Sequence, residues 1–224
     1  MKFMLFTLTV VSFLGGILPG CSTMQEAFLG RKNALARLQN VRLGHATRSE
    51  IIERFGAPDE INERRPDGIS TEVFFYYDED QSPNGYPELK VLACEFVKGS
   101  LTGYAFQEFT PAPAGGPDES SRARLAKGRT TRNEAENILG PPNGRSLMPT
   151  TLNLDALAGR IGGIPIPLGG TPENAKEIWF YNSPSLDAEF HRPIQQSLAV
   201  FFDGQGKYLG SIGFHQILGT PTSH

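Results

Sequence analysis

The sequence predicts an α+β protein made of two tandem units, each with two helices packed on a small antiparallel sheet of three to four strands. Three observations predict it. A sixteen-residue stretch, Leu43 to Pro58, occurs twice: adding 84 to its numbers lays it on Lys127 to Pro142, with six identical pairs, Gly44/Gly128, Thr47/Thr131, Arg48/Arg132, Glu50/Glu134, Gly56/Gly140 and Pro58/Pro142. Each copy is followed by the same kind of aromatic strand, Glu72-Val73-Phe74-Phe75-Tyr76 in one and Glu177-Ile178-Trp179-Phe180-Tyr181 in the other. A Pro/Gly-rich run, Thr110 to Pro117, stands between them as a linker that contributes nothing to a core. A fixed internal period of this length signals duplication of one supersecondary unit.

The order of domains follows: a leader over 1–20, a first unit over 21–109, the linker over 110–117, a second unit over 118–217 with an insertion at 143–176, and a tail over 218–224. In the leader, Lys2 precedes an uncharged, mostly apolar run from Phe3 to Leu18, the layout of a secretory signal. Glycines and prolines interrupt that run short of the roughly 20 residues a membrane span needs. Composition excludes one partner class. The 21 basic and 24 acidic residues nearly balance and the basic ones are scattered, so there is no stripe of positive charge for nucleic acid.

In the first unit, Phe28, Leu35, Leu38 and Val41 recur at helical spacing within Gln25 to Val41, which predicts an amphipathic helix. Thr47-x-x-Glu50 is a capping box that starts a second helix, Arg48 to Phe55; Gly56 and Pro58 end it. Glu60 to Arg65 reads as an edge strand, Pro66-Asp67-Gly68 as a turn and Thr71 to Tyr77 as an aromatic strand. Asp78 to Pro87 reads as a polar loop, and Leu89 to Val97 with Leu101 to Phe109 as a hairpin turning at Lys98-Gly99-Ser100. The second unit repeats this in Asp118 to Ala126, Thr131 to Leu139, Ile178 to Asn182, Ser197 to Phe202, the turn Asp203-Gly204-Gln205-Gly206, and Tyr208 to Phe214.

Leu18-Pro19-Gly20-Cys21 resembles the bacterial lipobox, which implies that Cys21 becomes a lipid-modified first residue. Ser22 after it resembles the pattern of lipoproteins sent to the outer membrane. Cys94 is then left without a disulfide partner; alternating with Leu92 and Phe96, it reads as a small buried hydrophobe. Gly128, Thr131, Leu139-Gly140-x-Pro142, Trp179-Phe180-Tyr181 and Gln195 to Asp203 with the Gly204/Gly206 turn resemble the SmpA/OmlA (BamE-like) family. That resemblance implies an outer-membrane lipoprotein facing the periplasm, with envelope proteins and the β-barrel assembly machinery as partners. A tandem of two such units is also similar to the β-lactamase inhibitor proteins, which implies an inhibitor that caps a periplasmic enzyme with a broad sheet.

Chemistry is sparse. The sequence has no zinc-spaced His/Cys set, nucleophile elbow or phosphate loop. Gly204-x-Gly206 with Gly210 has a dinucleotide fingerprint's third glycine one place late, and Asp78, Asp80 and Asn84-Gly85 have Pro83 where a calcium loop needs glycine. A non-enzyme without cofactor or metal, carrying only the lipid on Cys21, is expected. Partner contacts are expected from the strand aromatics Tyr77, Trp179 and Tyr181, since alternation sends half of each aromatic strand away from the helices. They are also expected from Leu157, Ile161, Ile164 and Ile166 of the insertion, an apolar, Gly/Pro-broken loop in which only Leu152 to Arg160 suits a short helix. The alternative for that loop is that it folds back to cover the open side of its own sheet or the cleft between the units.

Overall fold

The computed structural model describes residues 30–38, 40–64, 69–81, 87–109, 117–150, 152, 170–186 and 193–217. The expected leader with Cys21, the turn at 66–68, most of the linker, the insertion residues Leu157, Ile161, Ile164 and Ile166, and the tail lie outside them.

Helix α1 (Gly30–Leu38) leads to α2 (Arg48–Phe55), then to strands β1 (Glu60–Arg64), β2 (Thr71–Gln81), β3 (Pro87–Val97) and β4 (Ser100–Phe109). The second half has α3 (Glu119–Ala123), α4 (Arg132–Leu139), β5 (Gly144–Leu147), β6 (Glu177–Leu186), β7 (Pro193–Phe202) and β8 (Tyr208–Ile217). All eight strands form one antiparallel sheet in the order β1-β2-β3-β4-β5-β6-β7-β8. The fold is therefore β-rich, a single sheet carrying short helices, which corrects the expected α+β pair of units with a small sheet each. The cause is β5. Gly144-Arg145-Ser146-Leu147 has almost no strand propensity and lies within the expected insertion, yet it pairs on both sides, with β4 and with β6, and so joins two meanders into one sheet.

Other boundaries shift for local reasons. Helix α1 ends at Leu38, before Val41, and α3 is only five residues long with Asp118 as its cap. Asp78 to Gln81, expected in a loop, continue β2, because their backbones pair with Pro87 to Lys90 and Lys90 Nζ reaches Asp78 Oδ2 at 3.9 Å. The β3–β4 turn is tight: Lys98 (φ 51°) and Gly99 (φ 81°) alone connect the paired Val97 and Ser100.

Five of the six repeated identities have a physical reason. Each threonine accepts a bond from the amide of its glutamate, Glu50 or Glu134, at 3.3 Å, while that carboxylate accepts from the threonine's own amide at 2.6 and 2.7 Å. Gly56 and Gly140 leave their helices at φ 83° and 82°. Gly44 (φ 79°) donates to Leu101 O and Gly128 (φ 72°) to Tyr208 O, which ties each helix pair to the start of the last strand of its half. Arg48 pairs with Glu72 and Arg132 with Glu177, so each arginine pins its helix to the first residues of an aromatic strand.

The helical side of the sheet holds two apolar clusters, one around Phe74, Tyr76, Leu92, Cys94 and Phe96 under α1 and α2, the other around Trp179, Tyr181, Val200 and Phe202 with Ala135 of α4. Ring pairs repeat as well: Phe74–Phe96 and Trp179–Phe202 both lie 4.7 Å apart at a tilt near 50°. Each large, fully buried side chain contributes roughly 1.5–3 kcal/mol. Cys94 is 0% exposed, and burial pushes its thiol far above the usual range, so it stays a neutral small hydrophobe. The opposite face is also buried. Val73, Phe75, Val91, Ile178, Phe180 and Phe201 form one cluster that spans both halves and takes in Leu152 and Ala175 from the β5–β6 connection.

Candidate functional site: the cleft over the seam

The seam between the halves consists of three residue pairs, Gly103↔Ser146, Tyr104↔Arg145 and Ala105↔Gly144. Two glycines allow the strands to close. A Cβ on Gly103 would lie 2.2 Å from Ser146 Oγ, and one on Gly144 would lie 2.5 Å from Tyr104 O and 2.7 Å from Ala105 Cα. On the helix-free face of the seam, Glu95 is 0% exposed and accepts from the hydroxyls of Thr150 (2.9 Å), Thr102 (3.2 Å) and Ser146 (3.4 Å). Its place in the other half is held by Phe201, opposite Gly210 as Glu95 is opposite Gly103. Through Oε2, which accepts all three bonds, this buried carboxyl clasps three strands and the chain leaving β5.

On the helical face, the seam is the floor of a 430 Å³ cleft. One wall comes from the first half, with Leu38, Val41, Arg42 and Leu43; the other comes from the second, with Arg132, Arg145, Leu147 and Glu177. Tyr104 of β4 lies on the floor, and burial raises its phenol above the ordinary value, against a lowering pull from Arg145. Arg145 sits with its guanidinium carbon 4.4 Å from the centre of the Trp179 ring and Nη2 2.9 Å from Glu136 Oε2. Arg132 Nε lies 2.8 Å from Glu177 Oε2, and the other oxygen of Glu177 accepts from Trp179 Nε1 at 2.6 Å. The arginine side chains stay 36% (Arg132) and 30% (Arg145) exposed, so they are held in position while still facing the cleft. Arg132 and Arg145 are paired with Glu177 and Glu136, so together with Arg42 they leave an excess of one positive charge over apolar walls, which favours a single anionic group attached to something apolar.

No protein-family model and no curated protein matches the chain. Among solved structures it is similar to a candidate β-lactamase inhibitor protein from Streptococcus mutans, at 12% identity and a TM-score of 0.40, over 81% of this chain and 88% of that one. A likeness that loose carries no conclusion about function.

The structure redistributes the residues expected to touch a partner. Trp179 and Tyr181 are 1% and 3% exposed, and the Tyr181 hydroxyl donates to Gly140 O at 3.2 Å. They are core residues beneath α4; among the described residues the central strands carry no accessible aromatic face, because helices cover one side and the cluster with Leu152 and Ala175 fills the other. Tyr77 is half-buried, stacked on Phe75 at 6.2 Å, with its hydroxyl donating to Glu60 Oε2 at 3.2 Å. Trp179 contributes to the cleft indirectly, as the platform under Arg145. Sequence reasoning missed Arg132, Arg145 and Glu177. The signal existed for one pair: Arg48/Arg132 and Glu72/Glu177 match across the repeat, as a repeated ion pair would.

Proposed function

We propose that this chain is a lipid-anchored protein of the outer membrane, facing the periplasm, which works by binding a protein partner in an envelope-assembly or scaffold role. The anchor reading is supported by the lipobox-like Leu18 to Cys21. The binding reading is supported above all by the seam cleft, where Arg42, Arg132 and Arg145 converge from both halves over apolar walls. Binding is the activity that the cleft's chemistry serves. The SmpA/OmlA resemblance, which rests on its motifs, points to barrel-assembly components as partners.

An inhibitor that caps a periplasmic enzyme is the second reading, and it agrees with the name of the Streptococcus mutans protein. Among the described residues, the sheet face that a capping surface would use is covered, since Phe75, Phe180 and Phe201 are at most 1% exposed. An inhibitor of this build would use the cleft or a sheet edge. Affinity capture of the tagged full chain from detergent-solubilised envelopes tests both, with Arg145→Ala as the comparison. Recovery of membrane assembly proteins, reduced by Arg145→Ala, is the expected result. Recovery of one soluble enzyme would move the assignment to an inhibitor, and identical recovery with Arg145→Ala would remove the cleft from it.

A further inference from the structure

The duplicated sheet ends in two edges, β1 and β8, which are the repeat counterparts of the two strands that meet at the seam, β5 and β4. The equivalence is residue by residue. Gly144 faces Phe180 as Glu60 faces Phe75, so Asn143, Gly144, Arg145 and Ser146 correspond to Asp59, Glu60, Ile61 and Asn62; Asn143 N bonds to Phe180 O and Asp59 N to Phe75 O. Gly103 faces Glu95 as Gly210 faces Phe201, so Gly103 corresponds to Gly210 and Tyr104 to Ser211.

Gly210 is the revealing residue. It lies within a strand without a positive φ, and a Cβ there would meet nothing within 4 Å, so its own chain gives no reason for glycine. At the equivalent position the reason is visible: Gly103 is glycine because Ser146 of the paired strand occupies that space. Phe106 N donates across the seam to Asn143 O, so Tyr104 also directs its backbone there and Gly103↔Ser146 is a non-hydrogen-bonded pair, the kind in which strands approach most closely.

We infer that the β8 edge of one molecule pairs with the β1 edge of a second copy, in the register of the internal seam, with Asn62 opposite Gly210 and Ile61 opposite Ser211. Two further features fit a second copy. Ile61 is 53% exposed on the helical side of β1, and in this register it gains cover from the neighbour's helical layer. Residues 59–63 carry three carboxylates before Arg64, whereas α3 with its cap and the turn after it, beside β8, carry Arg122, Arg124, Lys127 and Arg129 against Asp118 and Glu119. Arg122 lies over β8 itself, with Nη1 2.9 Å from where a Gly213 Cβ would be. The contact is head-to-tail, so it builds chains or rings rather than closed dimers.

Directed crosslinking tests this on the full chain in detergent, carrying Cys21→Ser; Cys94 is fully buried and does not compete. Ile61→Cys and Ser211→Cys variants, opposite each other in this register and away from the tight Gly210 contact, are purified separately and mixed under mild oxidation. Seven strand spacings, about 34 Å, separate the two edges within one molecule, so the disulfide can form only between copies. The expected result is a mixed dimer that neither variant gives alone, together with a mass that rises with concentration for the otherwise unaltered chain. Gly210→Val should keep the fold, since its Cβ meets open space, and lose the concentration-dependent rise. A chain that sediments as a monomer at every concentration overturns the inference, as does a mixture that crosslinks no better than either variant alone. Association that survives Gly210→Val overturns it too.

Discussion

Replacing Gly103 with alanine adds one methyl group at the seam, and its effect can be worked out from the geometry. The new carbon would lie 2.2 Å from Ser146 Oγ, 2.6 Å from Ser146 Cβ and 2.7 Å from Leu152 Cδ1, all far inside van der Waals contact. Gly103 has no positive φ, so the cost is steric, and overpacking of this kind costs about 1–3 kcal/mol. For a chain of this size each kcal/mol moves the melting temperature by about 2–4 °C, so a fall of about 2–12 °C is expected. The repeat supplies the control. Gly210→Ala adds the same methyl at the equivalent place in β8, where nothing lies within 4 Å, and should be neutral or stabilise by about 0.5–1 kcal/mol, since alanine loses less backbone entropy in a strand. Adding Ser146→Gly to Gly103→Ala removes the main obstacle, so the double variant should show a coupling of about 0.5–3 kcal/mol in the stabilising direction. Calorimetry on dilute protein reads the five melts: wild type, the three single variants Gly103→Ala, Gly210→Ala and Ser146→Gly, and the double variant. Equal shifts for Gly103→Ala and Gly210→Ala, or strict additivity with Ser146→Gly, would refute the account of the seam.

Mass spectrometry should find the mature chain beginning at a lipid-bearing Cys21, and Cys21→Ser should leave an unprocessed or soluble form; a mature start elsewhere without lipid would contradict this. Thr47→Ala and Thr131→Ala should each cost about 0.5–2 kcal/mol in denaturant unfolding, the usual loss for an N-cap. The bond from the Thr131 amide holds the Glu134 carboxyl below its ordinary value, so its contribution is complete above the unfolded pKa of about 4.3 and fades as pH falls through the lower folded value. The stability gap between wild type and Glu134→Gln should therefore close in acid, and a gap that widened below about pH 4 would reverse that sign. Leu152→Ala should cost about 2–5 kcal/mol, because this side chain is 3% exposed and anchors the chain leaving β5 to the helix-free face; a loss under 1 kcal/mol would show that the anchor is not needed.

Much of the fold was legible because its signals are local. The capping boxes at Thr47 and Thr131, the glycine exits at Gly56 and Gly140 and the Lys98-Gly99 turn depend on bonds within a few residues, so spacing alone reveals them. The duplication was legible for the same reason, as was the burial of Cys94 from its alternation with Leu92 and Phe96. The sheet's continuity was not. Gly144 to Leu147 is extended because β4 lies on one side and β6 on the other, partners about 40 and 35 residues away, and its glycine and serine are chosen for close approach rather than for strand propensity. Tertiary packing also decided the fate of the strand aromatics. Alternation correctly divides Phe74 and Trp179 from Phe75 and Phe180, but it cannot say that the second face is packed too, since that depends on Leu152 and Ala175 arriving from a distant connection. The cleft has the same origin: Arg42 belongs to one half and Arg145 to the other, and they line one wall each because three residue pairs at the seam bring the halves together.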